Sequence, residues 1–166
     1  MAMTTEDLLA RLDASGFKTT TVRHPPLYTV EDSRKLRGEI AGGHTKNLFL
    51  KDKKHRLWLV TAEENAEIDM KRLHTRLGSA RLSFGKPDLL MEALGVPPGS
   101  VTPLAAINDA GGRVTVVIDR PLLDHDVINV HPLTNAATTS IAREDLLAFL
   151  RDCGHEPQIL DVSDPA

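Results

Sequence analysis

Short β-type runs, separated by turns and by a few helical segments, constrain this chain more than any other feature of its sequence. Runs rich in valine, isoleucine, leucine, threonine and phenylalanine are typical of strands. We predict strands at residues 17–23, 46–51, 57–61, 80–84, 104–108, 113–119, 127–131, 138–141 and 158–162. Strands therefore outnumber helices, and most could form hairpins with their neighbours. This pattern predicts an α+β fold with flanking helices, in which the sheet is mixed and mainly antiparallel or forms a partial barrel.

Two pairs of runs are typical of hairpins. Residues 46–51 and 57–61 flank the charged segment 52–56, which predicts a hairpin with a solvated tip. Residues 104–108 and 113–119 flank Asp109-Ala110-Gly111-Gly112, a turn-forming sequence, and form the clearest predicted hairpin.

Capping residues predict the helices. Thr4 or Thr5 precedes Glu6 and Asp7, which favour a helix start, and Gly16 can end that helix. Further helices are predicted at residues 29–38, 69–77, 86–95 and 143–153.

The length and composition of the chain limit the kinds of protein that it can be. The chain has 166 residues, which is enough for a single domain spanning residues 1–166, and its formal charge is −3. No apolar run approaches the roughly 20 residues that cross a bilayer, and the first residues lack the apolar stretch of an export signal. Cys153 is the single cysteine, so an internal disulfide framework is excluded. We expect a cytoplasmic protein with no membrane association.

Familiar catalytic motifs are missing. The sequence contains no Gly-x-Ser-x-Gly elbow, no P-loop and no Gly-x-Gly-x-x-Gly turn. Cys153 lies at the end of a predicted helix with nothing nearby to activate it, so it is interpreted as a packing residue. The seven histidines show no spacing typical of a zinc site. We therefore predict neither a metal nor a cofactor.

Polar residues next to strands remain as candidates. Lys46 and Asn47 head the predicted strand 46–51, residues 95–103 form a loop rich in glycine and proline, and His131 precedes a proline. Alternation along a strand puts Lys46 and Asn47 on opposite faces. From the residues alone, Lys46 could also be a strand-end lysine that reaches water, His131 a turn residue, and the loop a rigid connector.

These three segments together resemble the YbaK/ProX family of aminoacyl-tRNA deacylases. The segments read His-Thr-Lys-Asn-Leu-Phe-Leu-Lys-Asp at 44–52, Gly-Val-Pro-Pro-Gly-Ser-Val-Thr-Pro at 95–103, and Asn-Val-His-Pro-Leu-Thr-Asn at 129–135. Their combination in this order is the specific part of the likeness, which extends from about residue 8 to residue 160. The resemblance implies one editing domain that acts without a cofactor.

The resemblance also implies an activity, namely hydrolysis of the ester that joins a wrong amino acid to tRNA. We expect the substrate to be alanine on proline tRNA, because a site that admits proline rejects the smaller alanine poorly. Lys46 would stabilise the charge that develops in the reaction. The substrate-binding residues would be Asn47, Gly99, Ser100 and His131, with Val30 and Ser33 shaping a small pocket.

Binding of tRNA would need a local basic surface, since the net charge is negative. The predicted hairpin tip supplies Lys51, Lys53, Lys54 and Arg56, and an alternative path runs over Lys71, Arg72 and Arg76. Prolyl-tRNA synthetase or an elongation factor would be a transient partner.

Three other functions stay open at this stage. The substrate could be cysteinyl- or seryl-tRNA, the chain could be a tRNA- or synthetase-binding module without activity, or it could hydrolyse small esters without RNA.

Overall fold

Eight strands of the described residues form one mixed sheet. The structure, a computed structural model, describes residues 3–26, 35 and 40–164. The strands are β1 Thr19–Arg23, β2 Gly43–Asp52, β3 Leu57–Glu63, β4 Leu82–Phe84, β5 Val114–Asp119, β6 Val127–Val130, β7 Ala137–Ala142 and β8 Gln158–Leu160. Their order is β1-β7-β6-β2-β3-β5-β8, with β4 paired to β2.

The strand pairing confirms the predicted fold class. The pairs β1–β7, β2–β3, β2–β4 and β6–β7 are antiparallel. The pairs β2–β6, β3–β5 and β5–β8 are parallel. The predicted hairpin of residues 46–51 and 57–61 is confirmed as β2 and β3, in which Lys46 lies opposite Ala62.

Four α-helices flank the sheet in the described part of the chain: α1 Thr5–Ala14, α2 Leu73–Leu77, α3 Pro87–Leu94 and α4 Arg143–Asp152. The Thr4 hydroxyl accepts the Asp7 amide at the start of α1, as predicted. None of the described helices is long and apolar enough to cross a membrane. The helix predicted at residues 29–38 lies outside the described residues.

The helix predicted at residues 69–77 is shorter than expected. The Asp69 carbonyl accepts the Arg72 amide, and the Asp69 carboxylate accepts the Lys71 amide. These bonds close a local turn, so the helix begins only at Leu73.

The hairpin predicted at residues 104–108 and 113–119 is wrong. Pro103–Asn108 is a 3-10 helix, which begins where the Thr102 hydroxyl accepts the Leu104 amide. Strand β5 instead pairs in parallel with β3, and Val114 lies beside Leu57. The Asp109 carboxylate accepts the Arg113 and Val114 amides, so it directs the chain into β5 rather than back along residues 104–108.

Apolar side chains cover the two faces of the sheet in two clusters. The first cluster packs α1, α3 and α4 against residues such as Phe49 on β2 and Leu59 on β3. The second cluster packs α2 against Leu50, Trp58 and Val60. Strands β2 and β3 are therefore buried on both sides in this half of the sheet, which explains their nearly continuous apolar runs.

Gly85 tests how tightly the first cluster is packed. A Cβ atom added there would lie 2.3 Å from the ring of Phe49, which is 5% exposed and therefore has little room to move. We expect Gly85→Ala to lower the free energy of unfolding by about 1–3 kcal/mol through overpacking. Urea denaturation at constant pH measures the change.

The matched control is Gly111→Ala, because a Cβ at Gly111 meets no atom within 4 Å. A surface substitution of this kind is expected to change stability by less than about 0.5 kcal/mol. Equal effects of the two substitutions would contradict the packing described for Phe49.

Candidate functional site

Lys46 is half-buried, and its amine is held by the backbone. The Nζ atom donates a hydrogen bond to the carbonyl of Ala66. Ala66 lies in a turn after β3, which is closed by a 2.9 Å bond from its amide to the Glu63 carbonyl. An ammonium has three donors, and Lys46 makes no other hydrogen bond within the described residues. The amine is thus oriented and keeps two donors for a ligand.

Strand pairing brings the segment that leads to His131 alongside β2. In the parallel pair β2–β6, His44 lies beside Asn129. Lys46 follows His44 by two residues and shares its face of β2. His131 follows Asn129 by two residues and comes directly after β6, which ends at Val130. A 2.8 Å bond from the Thr45 hydroxyl to the Asn129 carbonyl ties the two segments together at this point.

The His131 ring is held in a neutral state with one nitrogen unused. Burial lowers the pKa of His131, a backbone hydrogen bond at Ala137 partly opposes this, and the nearby His24 lowers the pKa further. The Nδ1 atom is buried and has no hydrogen-bond partner in the part of the chain that the structure describes. With the proton on the other nitrogen, Nδ1 is a free acceptor that a ligand could satisfy.

His24 lies near His131, and the sequence analysis did not identify it as a candidate residue. Its Nδ1 atom lies 2.8 Å from the Pro25 carbonyl, and its Nε2 atom lies 2.8 Å from the Thr138 hydroxyl. The signal that could have identified it is its place directly after β1, but the pairing of β1 with β7 is a long-range contact that the sequence pattern does not reveal.

The glycine-proline loop lies beside the segment that carries His131. Gly99 has a φ of +90°, which favours glycine, and a Cβ there would lie 3.7 Å from the Asn135 side-chain nitrogen. Ser100 is 5% exposed, and its amide donates to the Pro97 carbonyl. The Ser100 amide is therefore occupied within the loop, which leaves Gly99 as the better candidate for a contact with substrate.

Asn47 does not share a face with Lys46. Its side-chain oxygen accepts a 2.6 Å hydrogen bond from the Thr61 hydroxyl on β3. Asn47 points to the side of Phe49, as the alternation along β2 requires. The contact therefore links β2 to β3 on the face of the sheet opposite Lys46. Val30 and Ser33, the other predicted pocket residues, lie outside the described residues.

The predicted basic tip contains three lysines and one arginine, and the arginine already forms an ion pair. Lys53 and Lys54 are exposed, and Lys51 is half-buried. None of the three forms an ion pair among the described residues. We call Lys51, Lys53 and Lys54 the lysine tip. Arg56 instead lies 3.0 Å from the Asp52 carboxylate and 5.6 Å from the centre of the Trp58 ring.

Asp52 organises this turn from beneath. One carboxylate oxygen accepts the amides of Lys54 and Arg56, each at 2.9 Å. Burial raises the pKa of Asp52, but hydrogen bonds from Arg56, Lys54 and Ala80 lower it by more, so the net pKa is below its ordinary value. Asp52 is only 2% exposed, and its negative charge is balanced by these hydrogen bonds within the fold.

A cavity of about 610 Å³ opens next to Ala66. Its wall includes five acidic residues, Glu63, Glu67, Asp119, Asp161 and Asp164. These carboxylates would repel a phosphate backbone, and the volume far exceeds that of a methyl group. Since no predicted substrate-binding residue that the structure describes lines it, we do not assign this cavity to the amino-acid pocket.

Cys153 is unsuited to nucleophilic chemistry. Burial raises the pKa of its thiol to about 11. The thiolate, which is the reactive form, is therefore scarce at neutral pH. This agrees with its interpretation as a packing residue, and it packs partly buried against the first cluster.

The lysine-bearing strand of this mixed sheet pairs with the strand that leads to His131, next to a glycine-proline loop. This arrangement fits a domain that edits aminoacyl-tRNA. The aminoacyl-tRNA editing domain family matches residues 24–149. The chain belongs to this family, the YbaK/ProX family of aminoacyl-tRNA deacylases, as its motifs predicted. It is thus a hydrolase of the class that removes amino acids from mischarged tRNA.

Relatives extend the match over nearly the whole chain. Prolyl-tRNA synthetase associated domain-containing protein 1 of Danio rerio is 42% identical over 93% of this chain and 84% of that protein. Prolyl-tRNA editing protein ProX of Acetoanaerobium sticklandii is 36% identical over 93% of this chain and 95% of that protein. A crystal structure of a candidate trans-editing enzyme for prolyl-tRNA synthetase superposes with a TM-score of 0.72 at 18% identity, covering 99% of this chain and 100% of that one. This last likeness shows the shared fold.

The lowered pKa of His131 predicts how stability depends on pH. The unfolded ring has a pKa of about 6.5, whereas the folded ring resists protonation. Above pH 6.5 the His131 ring is neutral in both the folded and the unfolded protein, so it does not lower the free energy of unfolding. As pH falls below 6.5 toward the folded pKa, the unfolded state gains the proton first and stability is lost.

We therefore expect the wild type to lose more free energy of unfolding between pH 7 and pH 5 than His131→Gln, in which this ring is absent. Urea denaturation at several pH values measures both profiles. Parallel profiles would show that the His131 ring is not held neutral by the fold.

Proposed function

We propose that this protein hydrolyses alanine from proline tRNA in trans, after the mischarged tRNA has left its synthetase. The observation that supports the proposal is the pairing of β2, which bears Lys46, with β6, which leads directly to His131. The names of the relatives support proline tRNA as the nucleic acid, since they refer to prolyl-tRNA synthetase or to prolyl-tRNA editing.

Lys46 has the chemistry that ester hydrolysis needs. When water attacks the ester carbonyl, the carbonyl oxygen gains negative charge, and a fixed cation stabilises that transition state more than the ground state. The bond to Ala66 fixes the amine of Lys46 before substrate arrives. The two remaining donors can bind the carbonyl oxygen, or a phosphate oxygen of the terminal nucleotide.

His131 complements this cation. Its unused Nδ1 acceptor suits a donor such as the substrate's amino group or a ribose hydroxyl. An ammonium cannot act as a general base, so Lys46 does not activate the water. We assign that step to the adjacent hydroxyl of the terminal ribose, which the substrate itself supplies.

The deacylase would select alanine at a second step, after the synthetase has failed to reject it. A synthetase pocket built for proline discriminates against smaller side chains by only about 1–3 kcal/mol per missing methylene. A deacylase with a smaller pocket removes alanine and excludes the prolyl ring, so correctly charged tRNA survives. Gly99, at the loop next to His131, is a described residue that can approach the substrate closely.

Removal of the Lys46 charge tests the mechanism. We expect Lys46→Met to reduce kcat/KM for alanyl-tRNA by at least about 100-fold, because a preorganised partner of the developing oxyanion is lost. Methionine keeps an unbranched apolar stem, so the melting temperature should stay close to that of the wild type. Lys18→Met, at an exposed lysine outside this site, is the control and should keep full activity.

The same assay, run on alanyl-, seryl-, cysteinyl- and prolyl-tRNA, tests the substrate. We expect alanyl-tRNA to be the preferred substrate and prolyl-tRNA to survive. A Lys46→Met enzyme with wild-type turnover would exclude the mechanism. A preference for seryl- or cysteinyl-tRNA would retain the mechanism and reject the proposed amino acid.

The lysine tip offers a path for the tRNA. Lys51 lies five residues along β2 from Lys46, about 17 Å away at about 3.3 Å per residue, and on the opposite face. The exposed Lys53 and Lys54 lie in the turn beyond it. An RNA whose 3′ end reaches Lys46 could therefore contact the lysine tip with nucleotides further from the end. The three amines are free to bind phosphate, whereas Arg56 is held by Asp52.

Salt dependence tests this path. We expect replacement of all three lysines of the tip by alanine to weaken tRNA binding and to lower the slope of log K against log salt by about two to three, near one for each lost phosphate contact. Arg56→Lys should change the slope of log K against log salt little, since Arg56 forms an ion pair with Asp52. An unchanged slope for the triple variant would place the RNA elsewhere.

A further inference from the structure

Phe84 is an exposed aromatic residue that the proposed mechanism does not use. The chain has four phenylalanines. Phe17, Phe49 and Phe149 pack in or against the first cluster. Phe84 is 61% exposed, the highest value among the large apolar residues of the described part of the chain.

The backbone holds Phe84 in a fixed position at the edge of the sheet. In the antiparallel pair β2–β4, Phe84 lies opposite Leu50. The next residue, Gly85, donates its amide to the Phe49 carbonyl at 2.9 Å. No further strand pairs with β4 among the described residues. The ring is therefore presented to solvent by a rigid edge rather than by a loose loop.

Two lysines, Lys53 and Lys86, lie close to Phe84 along the backbone. Lys51 lies opposite Ser83 and therefore points to the other face of the sheet. Lys53 donates its amide to the Arg81 carbonyl at 3.0 Å, which fixes the lysine tip against the start of β4. Lys86, two residues after Phe84, is exposed and forms no ion pair with a described residue. An exposed aromatic ring with unpaired lysines on the adjacent backbone suits single-stranded nucleic acid, because bases can stack on the ring while the lysines meet the phosphates.

Phe84 also lies on the side of the sheet that carries the candidate site. Lys46, Leu48 and Leu50 alternate onto one face of β2, and Phe84 shares that face through its pairing with Leu50. Leu50 lies four residues along β2 from Lys46, about 13 Å away. Stacked nucleotides rise about 3.4 Å each, so about four of them span this distance.

We propose that Phe84 is a stacking platform for the single-stranded 3′ end of the tRNA, a few nucleotides before the terminal ester. This inference rests on the proposed function, because it takes tRNA as the ligand. The lysines beside the ring hold the phosphates, and the ring positions the bases so that the last nucleotide reaches Lys46 and His131. The platform tolerates different bases, since every base has a face that stacks.

Two RNA hairpins separate this role from general RNA binding. One copies the acceptor stem of proline tRNA with its single-stranded 3′ end, and the other is the same stem with a blunt end. We expect Phe84→Ala to weaken binding of the first hairpin by about tenfold and binding of the blunt hairpin by less than about twofold, by fluorescence anisotropy. Phe84→Tyr should bind like the wild type, and Phe84→Leu should bind like Phe84→Ala.

Met91→Ala is the matched control, since Met91 is also an exposed apolar residue, at 49%. It should leave both affinities unchanged. Activity gives a second readout: Phe84→Ala should lower kcat/KM on the alanylated hairpin by about tenfold, yet hydrolyse alanyl-adenosine, which lacks the preceding nucleotides, at the wild-type rate.

The results separate the two proposals. Equal binding of the overhanging hairpin by Phe84→Ala and wild type would overturn the platform, as would an equal loss on both hairpins or full affinity of Phe84→Leu. A wild type that hydrolyses no alanyl ester but binds the overhang through Phe84 would reject the proposed function and keep the platform.

Discussion

The alternation of side chains along β2 is the constraint on which the rest of the structure depends. This strand pairs with β3 along one edge and with β6 and β4 along the other. Phe49 points into the first cluster and Leu50 into the second, so a shift of register by one residue would exchange the two faces. Because both clusters oppose such a shift, the position of Lys46 is determined by the packing of residues several positions further along the strand.

Three buried aspartates hold the segments that surround this strand. Asp52 closes the turn between β2 and β3, and Asp109 accepts two amides at the start of β5 and the ring of His155 at 2.9 Å. Asp119 accepts the amides of Val162 and Ser163 and so fixes the segment after β8. Each carboxylate is satisfied by several donors, which offsets the cost of its burial. These contacts order long connections without disulfides.

The sequence pattern revealed local structure well and long-range structure poorly. The β2–β3 hairpin was predictable because a short polar tip separates two apolar runs. Strand β5 was also recognised, but not its parallel pairing with β3, since no local signal distinguishes a hairpin partner from a distant one. For the candidate site, Lys46 and His131 were identified through motifs, whereas the β2–β6 pairing that brings their segments together is a long-range contact. His24 was missed for the same reason.

The lowered pKa of His131 allows the two proposed site residues to have different roles. In the proposed mechanism, a protonated His131 would add a second cation to the site of Lys46, and it would repel the amino group of an aminoacyl ester, which is itself cationic. Burial and the neighbouring His24 instead lower the pKa of the ring, so the proposed site has one cation for the carbonyl and one acceptor for the amine. The opposite ends of one small substrate would then be bound by two different side chains. Because the lysine ammonium cannot act as a base, activation of the water is assigned to the ribose hydroxyl of the substrate.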